Sequence, residues 1–219
     1  MADDPALQDA QALNGRQRFD TQLWLAWMGA TVLGWAAGEF VFRVFADAVW
    51  GAAWLRGGDG VGVFVAVLQA LVLRRHLTQP VWWVVAGGVG GVLSPFLSTL
   101  INATVYAAVG VHVVFVLTLA VTALGAGILV GTLQWMVLRR ETSQAGRWVS
   151  SSARGMFFGG FVGRFIGLML VGSSTDVLTS DLVGGLLSAA IYGAITAYAM
   201  VRLLQYQAPD RELATATAP

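Results

Sequence analysis

Glu39 is the residue with the most chemical potential in this sequence, because it stands inside an apolar stretch, Leu23–Phe45, where a carboxylate is expensive. Arg43 follows it at i+4, on the same helical face and in reach of an ion pair. Two readings are open: a pair that fixes packing, or a proton or ion site at Glu39. Arg164 stands sixteen residues after Trp148, as Arg43 stands sixteen after Trp27, so it is placed to compete for the same carboxylate. Gln69 and Gln134 each precede an Arg pair by five residues, about 7–8 Å from the end of an apolar segment. Thr196 holds the matching place in a third segment. These three are either interhelical hydrogen-bonding groups or a polar ring at the inner mouth of a pathway.

Other chemistries are excluded by what is absent. All 13 basic residues are Arg, so a retinal Schiff base, which needs Lys, is ruled out; with no Cys there is no disulfide or thiolate site. His76 and His112 flank different segments and fall on opposite sides, which does not suit one iron. No HExxH, Walker loop or GxSxG is present. The chain reads as a non-enzyme with no cofactor and no metal, and a net charge of +1 gives no argument for nucleic acid.

The elements that must position these groups follow from composition. The 219 residues are 57% hydrophobic and 11% charged, against about 25% charged in an ordinary soluble domain. A surface that poor in charge belongs in lipid. Six segments approach the length of a span: Leu23–Phe45, Gly58–Leu73, Val81–Leu100, Val113–Leu138, Trp148–Val171 and Leu182–Leu204. The second is short and must thin the bilayer or snorkel its flanking Arg side chains to cross. Arg16, Arg18, Arg74, Arg75, Arg139, Arg140, Arg147, Arg202 and Arg211 fall on one side if all six cross, which places both termini in the cytoplasm. Residues 1–21 form a polar cytoplasmic segment, 22–205 the transmembrane domain and 206–219 a disordered tail. Trp50 and Trp54, between the first two segments, read as interface anchors.

The sequence also repeats. LQALVLRR at 68–75 and LQWMVLRR at 133–140 share six of eight residues. Trp27, Trp83 and Trp148 are each followed by small residues at +3, +4, +7 and +11 on one helical face, so each odd segment opens at a Trp expected at the cytoplasmic interface. The fold expected is all-α: a polytopic transmembrane bundle of six helices built from three parallel two-helix hairpin repeats, about 22–76, 81–141 and 147–205. Gly155, Gly159, Gly163 and Gly167 make a four-residue ladder, and Gly127 and Gly131 a shorter one. Such faces let helices approach closely, either within the monomer or toward a partner.

With Gly127 and Gly131 upstream and Trp148 downstream, LQWMVLRR resembles an uncharacterised bacterial multi-spanning family with repeated GxxxGxxQWxxLRR blocks. The likeness covers most of residues 24–204, although Ala70 replaces the Trp in the first copy and the third copy lacks both Gln and Trp. It implies a multi-pass protein of the bacterial plasma (inner) membrane and no particular activity. The expected function is an accessory or scaffold subunit that packs through its glycine faces against a membrane-protein partner or a second copy. The alternative is a small-solute or ion transporter with Glu39, Gln69 and Gln134 on the path.

Overall fold

The computed structural model describes residues 20–45, 61–109, 114–171 and 177–216. Their regular structure is helical throughout: α1 (Thr21–Phe45), α2 (Val61–Leu73), α3 (Val81–Val109), α4 (Val114–Leu138), α5 (Gly146–Phe157), a π-helical stretch (Phe158–Gly163) running on into α6 (Arg164–Val171), and α7 (Val177–Ala216). Asp20 caps α1, its carboxylate accepting the Leu23 backbone N–H at 2.9 Å. Four helices hold stretches long and apolar enough to cross a membrane: Thr21–Val44, Val81–Val105, Leu117–Leu138 and Leu182–Gln205. α2, with 13 residues, rises only about 20 Å. Trp50, Trp54 and the polar start at 1–19 lie outside the described residues.

The helices pack as a ring. α1 lies on α2, α2 on α3, α3 on α4, α4 on α5, α5 and the π stretch on α7, and α7 returns to α1. Glycine stands at each joint. A Cβ on Gly34 of α1 would come 2.6 Å from Val65 Cα of α2, and one on Gly62 of α2 would come 2.8 Å from Gly91 Cα of α3. At Gly90 of α3 it would meet Val130 of α4 at 2.9 Å. Gly127 and Gly131 lie against Ala153 and Ser152 of α5, each at 2.8 Å. Gly159 and Gly163 would touch the Ser188 backbone of α7 at 2.5 Å, and Gly185 of α7 lies under the Trp35 ring of α1. Lipid supplies no hydrophobic force between helices, so backbones this close must hold the ring by dispersion. These glycine faces therefore meet neighbours inside the bundle.

The outer surface carries Leu33, Phe40, Phe96, Leu100 and Met169, all well exposed, while Thr31, Gln69, Gln134, Ser152 and Thr196 are buried. A polar interior under an apolar exterior is the arrangement suited to lipid. Two local features differ from the expectation. α7 continues as helix to Ala216 where composition suggests disorder; Arg, Glu, Leu and Ala in that stretch are good helix formers. The π stretch, with its i→i+5 bonding, turns all that follows about 100° relative to a straight α-helix. Arg164, which begins α6, thus loses the angular equivalence with Arg43 that residue counting implies; its side chain lies outside the described residues.

Candidate functional site

Trp27, Trp83 and Trp148 are each 0% exposed. They open α1, α3 and α5, and the ring brings their indoles together edge to face, with centroids 5.7 Å (27–83), 5.7 Å (27–148) and 5.4 Å (83–148) apart. The expectation that they sit at the membrane interface is corrected here: helix rotation turns them inward, while the neighbouring Trp82 stays half exposed. Leu73, Leu138, Met200 and Leu203 complete the apolar packing around them.

An indole N–H only donates, so each buried ring requires an acceptor. Trp83 Nε1 donates to Gln69 Oε1 at 3.2 Å, Trp148 Nε1 to Gln134 Oε1 at 3.0 Å, and Trp27 Nε1 to Thr196 Oγ1 at 3.1 Å. Each acceptor lies on the helix preceding the Trp around the ring, and for Trp27 the helix preceding it is α7. The two Gln–Trp pairs share a separation of 14 residues. With Oε1 turned to the indole, Gln69 Nε2 donates to Thr31 Oγ1 at 3.0 Å, and Thr31 passes its proton to the Trp27 carbonyl at 2.9 Å. Gln134 Nε2 instead lies beside Gly87, which has no side chain to accept from it. Thr196 donates to the Tyr192 carbonyl at 2.7 Å.

Beyond this triad is a cavity of about 580 Å³. Every helix of the ring contributes to its wall, from Trp35 of α1 through Val65, Pro95, Ala126 and Gly160 to Tyr192 of α7. Gln69 and Gln134 are its polar groups nearest the triad; Asn102 and Thr118 lie far along α3 and α4, about 24 Å from Gln134 by helical rise. Along α4 the lining residues recur every fourth position, Thr118, Thr122, Ala126, Val130 and Gln134, with Ser94, Ser98 and Asn102 on α3. Some hydroxyls are bonded back to their own helix: Ser94 to the Gly90 carbonyl and Thr122 to the Thr118 carbonyl, both at 2.7 Å. The buried Asn102 Oδ1 and Thr118 Oγ1 have no hydrogen-bond partner. No charged side chain is on the wall among the described residues.

Of the residues singled out in the sequence, Gln69, Gln134 and Thr196 are brought together as the acceptors of the triad. Glu39 and Arg43 stand apart from them. Glu39 is buried on α1, its Oε1 2.6 Å from Arg43 Nε, and neither side chain lines the cavity. Asn102, Thr118, Thr122 and the hydroxyls of α3 were not singled out; their four-residue spacing was the available signal. Compared with known proteins, the chain matches no family model, no curated protein and no solved structure.

Proposed function

We propose that this chain is a non-catalytic membrane protein whose central cavity binds a small uncharged polar solute, on the way to moving it across the bilayer. The observation that carries the reading is the pair of unpartnered buried atoms, Asn102 Oδ1 and Thr118 Oγ1, on the wall of a cavity with no charged lining. A buried polar atom without a partner costs about 1–3 kcal/mol, and a solute offering both donors and acceptors, such as a polyol or simple amide, removes that cost. The lining favours a neutral solute over an ion, and it leaves Glu39 off the path.

The architecture we propose with it is six spans in three hairpin copies around one axis, in the bacterial plasma membrane, with both termini cytoplasmic. The three cyclic Trp bonds support the threefold arrangement, and the Arg pairs 74–75 and 139–140, at the ends of α2 and α4, support the orientation. The resemblance to the bacterial repeat family supports the location. α2 crosses as a short span, by local thinning of the bilayer.

The test is reconstitution in liposomes, with stopped-flow light scattering after an osmotic step in glycerol or urea. The expected result is faster re-swelling than in protein-free liposomes, lost in Ala126→Phe, which places a ring in the cavity. Re-swelling at the protein-free rate for every polyol and amide tried, with no solute-dependent gain in thermal stability, overturns the reading. A second reading, an accessory subunit, is favoured by α3, the least buried of the four apolar stretches, whose outer face exposes Val92, Leu93, Phe96 and Leu100. In that reading a partner packs on α3, since the glycine faces are occupied within the bundle.

A further inference from the structure

A second concavity of about 390 Å³ lies on the outside of the ring, between α3 and α4 at the end where the Arg pair stands. Its walls are apolar and exposed: Trp82, Val85 and Val89 on α3 lie at helical spacing on one face, with Met136 on α4 opposite. Its rim carries Arg139 and Arg140, both exposed. Arg139 is held over the Trp135 ring, 5.3 Å from its centroid. The rim also carries Glu141, whose carboxylate accepts the Thr78 backbone N–H at 3.1 Å and the Thr78 hydroxyl. Two guanidiniums against one engaged carboxylate leave the rim net positive.

We infer that this trough is a binding site for one anionic phospholipid, its phosphodiester on Arg139 and Arg140 and its acyl chains along Val85, Val89 and Met136. Guanidinium pairs two phosphate oxygens in a forked geometry, and basic pockets between membrane helices on the cytoplasmic side suit acidic headgroups. Trp82, half exposed beside the rim, is placed as an indole is at the headgroup level. The apolar trough below the cations selects a lipid over a free phosphate. The proposal rests on the chain lying in a bilayer and is independent of the solute cavity.

The test is native mass spectrometry of the detergent-solubilised protein titrated with phosphatidylglycerol or phosphatidylcholine, with glycerol phosphate as the headgroup without chains. Phosphatidylglycerol should bind more tightly than phosphatidylcholine. Arg139→Gln with Arg140→Gln should weaken it about 25-fold, about fivefold per Arg. Arg74→Gln with Arg75→Gln should leave it unchanged, since that exposed pair ends α2 outside the trough. Val85→Trp, which fills the trough and leaves both Arg in place, should weaken binding as well. Equal binding of the two lipids, an unaffected Arg139/Arg140 variant, an unaffected Val85→Trp, or displacement by glycerol phosphate at equal concentration each overturns it. Solute re-swelling in the Arg139/Arg140 variant should match the unsubstituted protein, so a failure here and a failure of the cavity reading are told apart.

Discussion

Replacing Gln134 by Leu removes the only side-chain acceptor of a fully buried indole. Leu is close to Gln in volume, so the packing loss is small and the cost is that of the orphaned Trp148 N–H, now 3.0 Å from nothing that accepts. An unsatisfied buried donor costs about 1–3 kcal/mol, while interhelical hydrogen bonds in membranes average about 0.6 and reach about 1.7 kcal/mol. We therefore expect a loss of about 1–2 kcal/mol. Gln69→Leu should cost roughly 0.5 kcal/mol more, because it strips an acceptor from Trp83 and a donor from Thr31 together. The increment is small because Thr31 keeps its own bond to the Trp27 carbonyl. The measurement is reversible unfolding in mixed micelles with rising SDS fraction, followed by far-ultraviolet circular dichroism. A double-mutant cycle isolates the bond: in a Trp148→Phe background the Gln134→Leu change should be neutral or slightly stabilising, giving a coupling of about 1 kcal/mol. A cycle that is additive, with the same Gln134→Leu cost in both backgrounds, would refute the account of why these Gln residues are there.

Three further outcomes follow from the same geometry. Gly34→Ala should cost about 2 kcal/mol or more by the unfolding assay, since its Cβ meets the Val65 backbone at 2.6 Å and a backbone neighbour yields little. Gly29→Ala, with nothing within 4 Å, should instead stabilise by up to about 1 kcal/mol; equal effects at the two sites would show that the helix spacing is wrong. Glu39→Gln should leave liposome re-swelling unchanged, because Glu39 is paired with Arg43 away from the cavity wall; loss of re-swelling in a variant with unchanged circular dichroism would put the carboxylate back on the path. Asn102→Leu should raise stability slightly in the absence of solute and reduce the solute-dependent gain in melting temperature, as an unpartnered buried oxygen is replaced by carbon.

The apolar helices were legible in the sequence because runs of Val, Leu and Ala free of charge have few alternatives to a helix in lipid. The polar acceptors were legible too: a Gln near an Arg pair in an apolar run stands out by type. What they accept from was not. Whether Trp27, Trp83 and Trp148 face headgroups or each other depends on the rotation of three helices about their axes, and a Trp near a segment end fits both environments. The cavity was hidden for a related reason. Ser94, Ser98, Thr118 and Thr122 are small, and at four-residue spacing a small polar residue serves close packing as well as a wall. Only the ring closure between α7 and α1 decides which. The π stretch is a third case: FGGFVG contains nothing that forbids an ordinary α-helix, so counting residues from Trp148 to Arg164 misjudges the face on which Arg164 emerges.

The bond from Trp27 to Thr196 joins residues 169 apart in the chain. At about 5–20 residues per second of synthesis, roughly 10–30 s separate the two. Throughout that interval the first indole of the triad has neither its acceptor nor, until Trp148 emerges, its full set of ring neighbours. The Gln–Trp pairs, only 14 residues apart, are complete within seconds. Assembly is thus ordered by the chain: two local clasps form early, and the last helix closes both the triad and the cavity wall in one event. A truncated chain that stops before α7 would leave the cavity open along one side and Trp27 unpaired, a species that quality control in the membrane can recognise by an exposed polar groove.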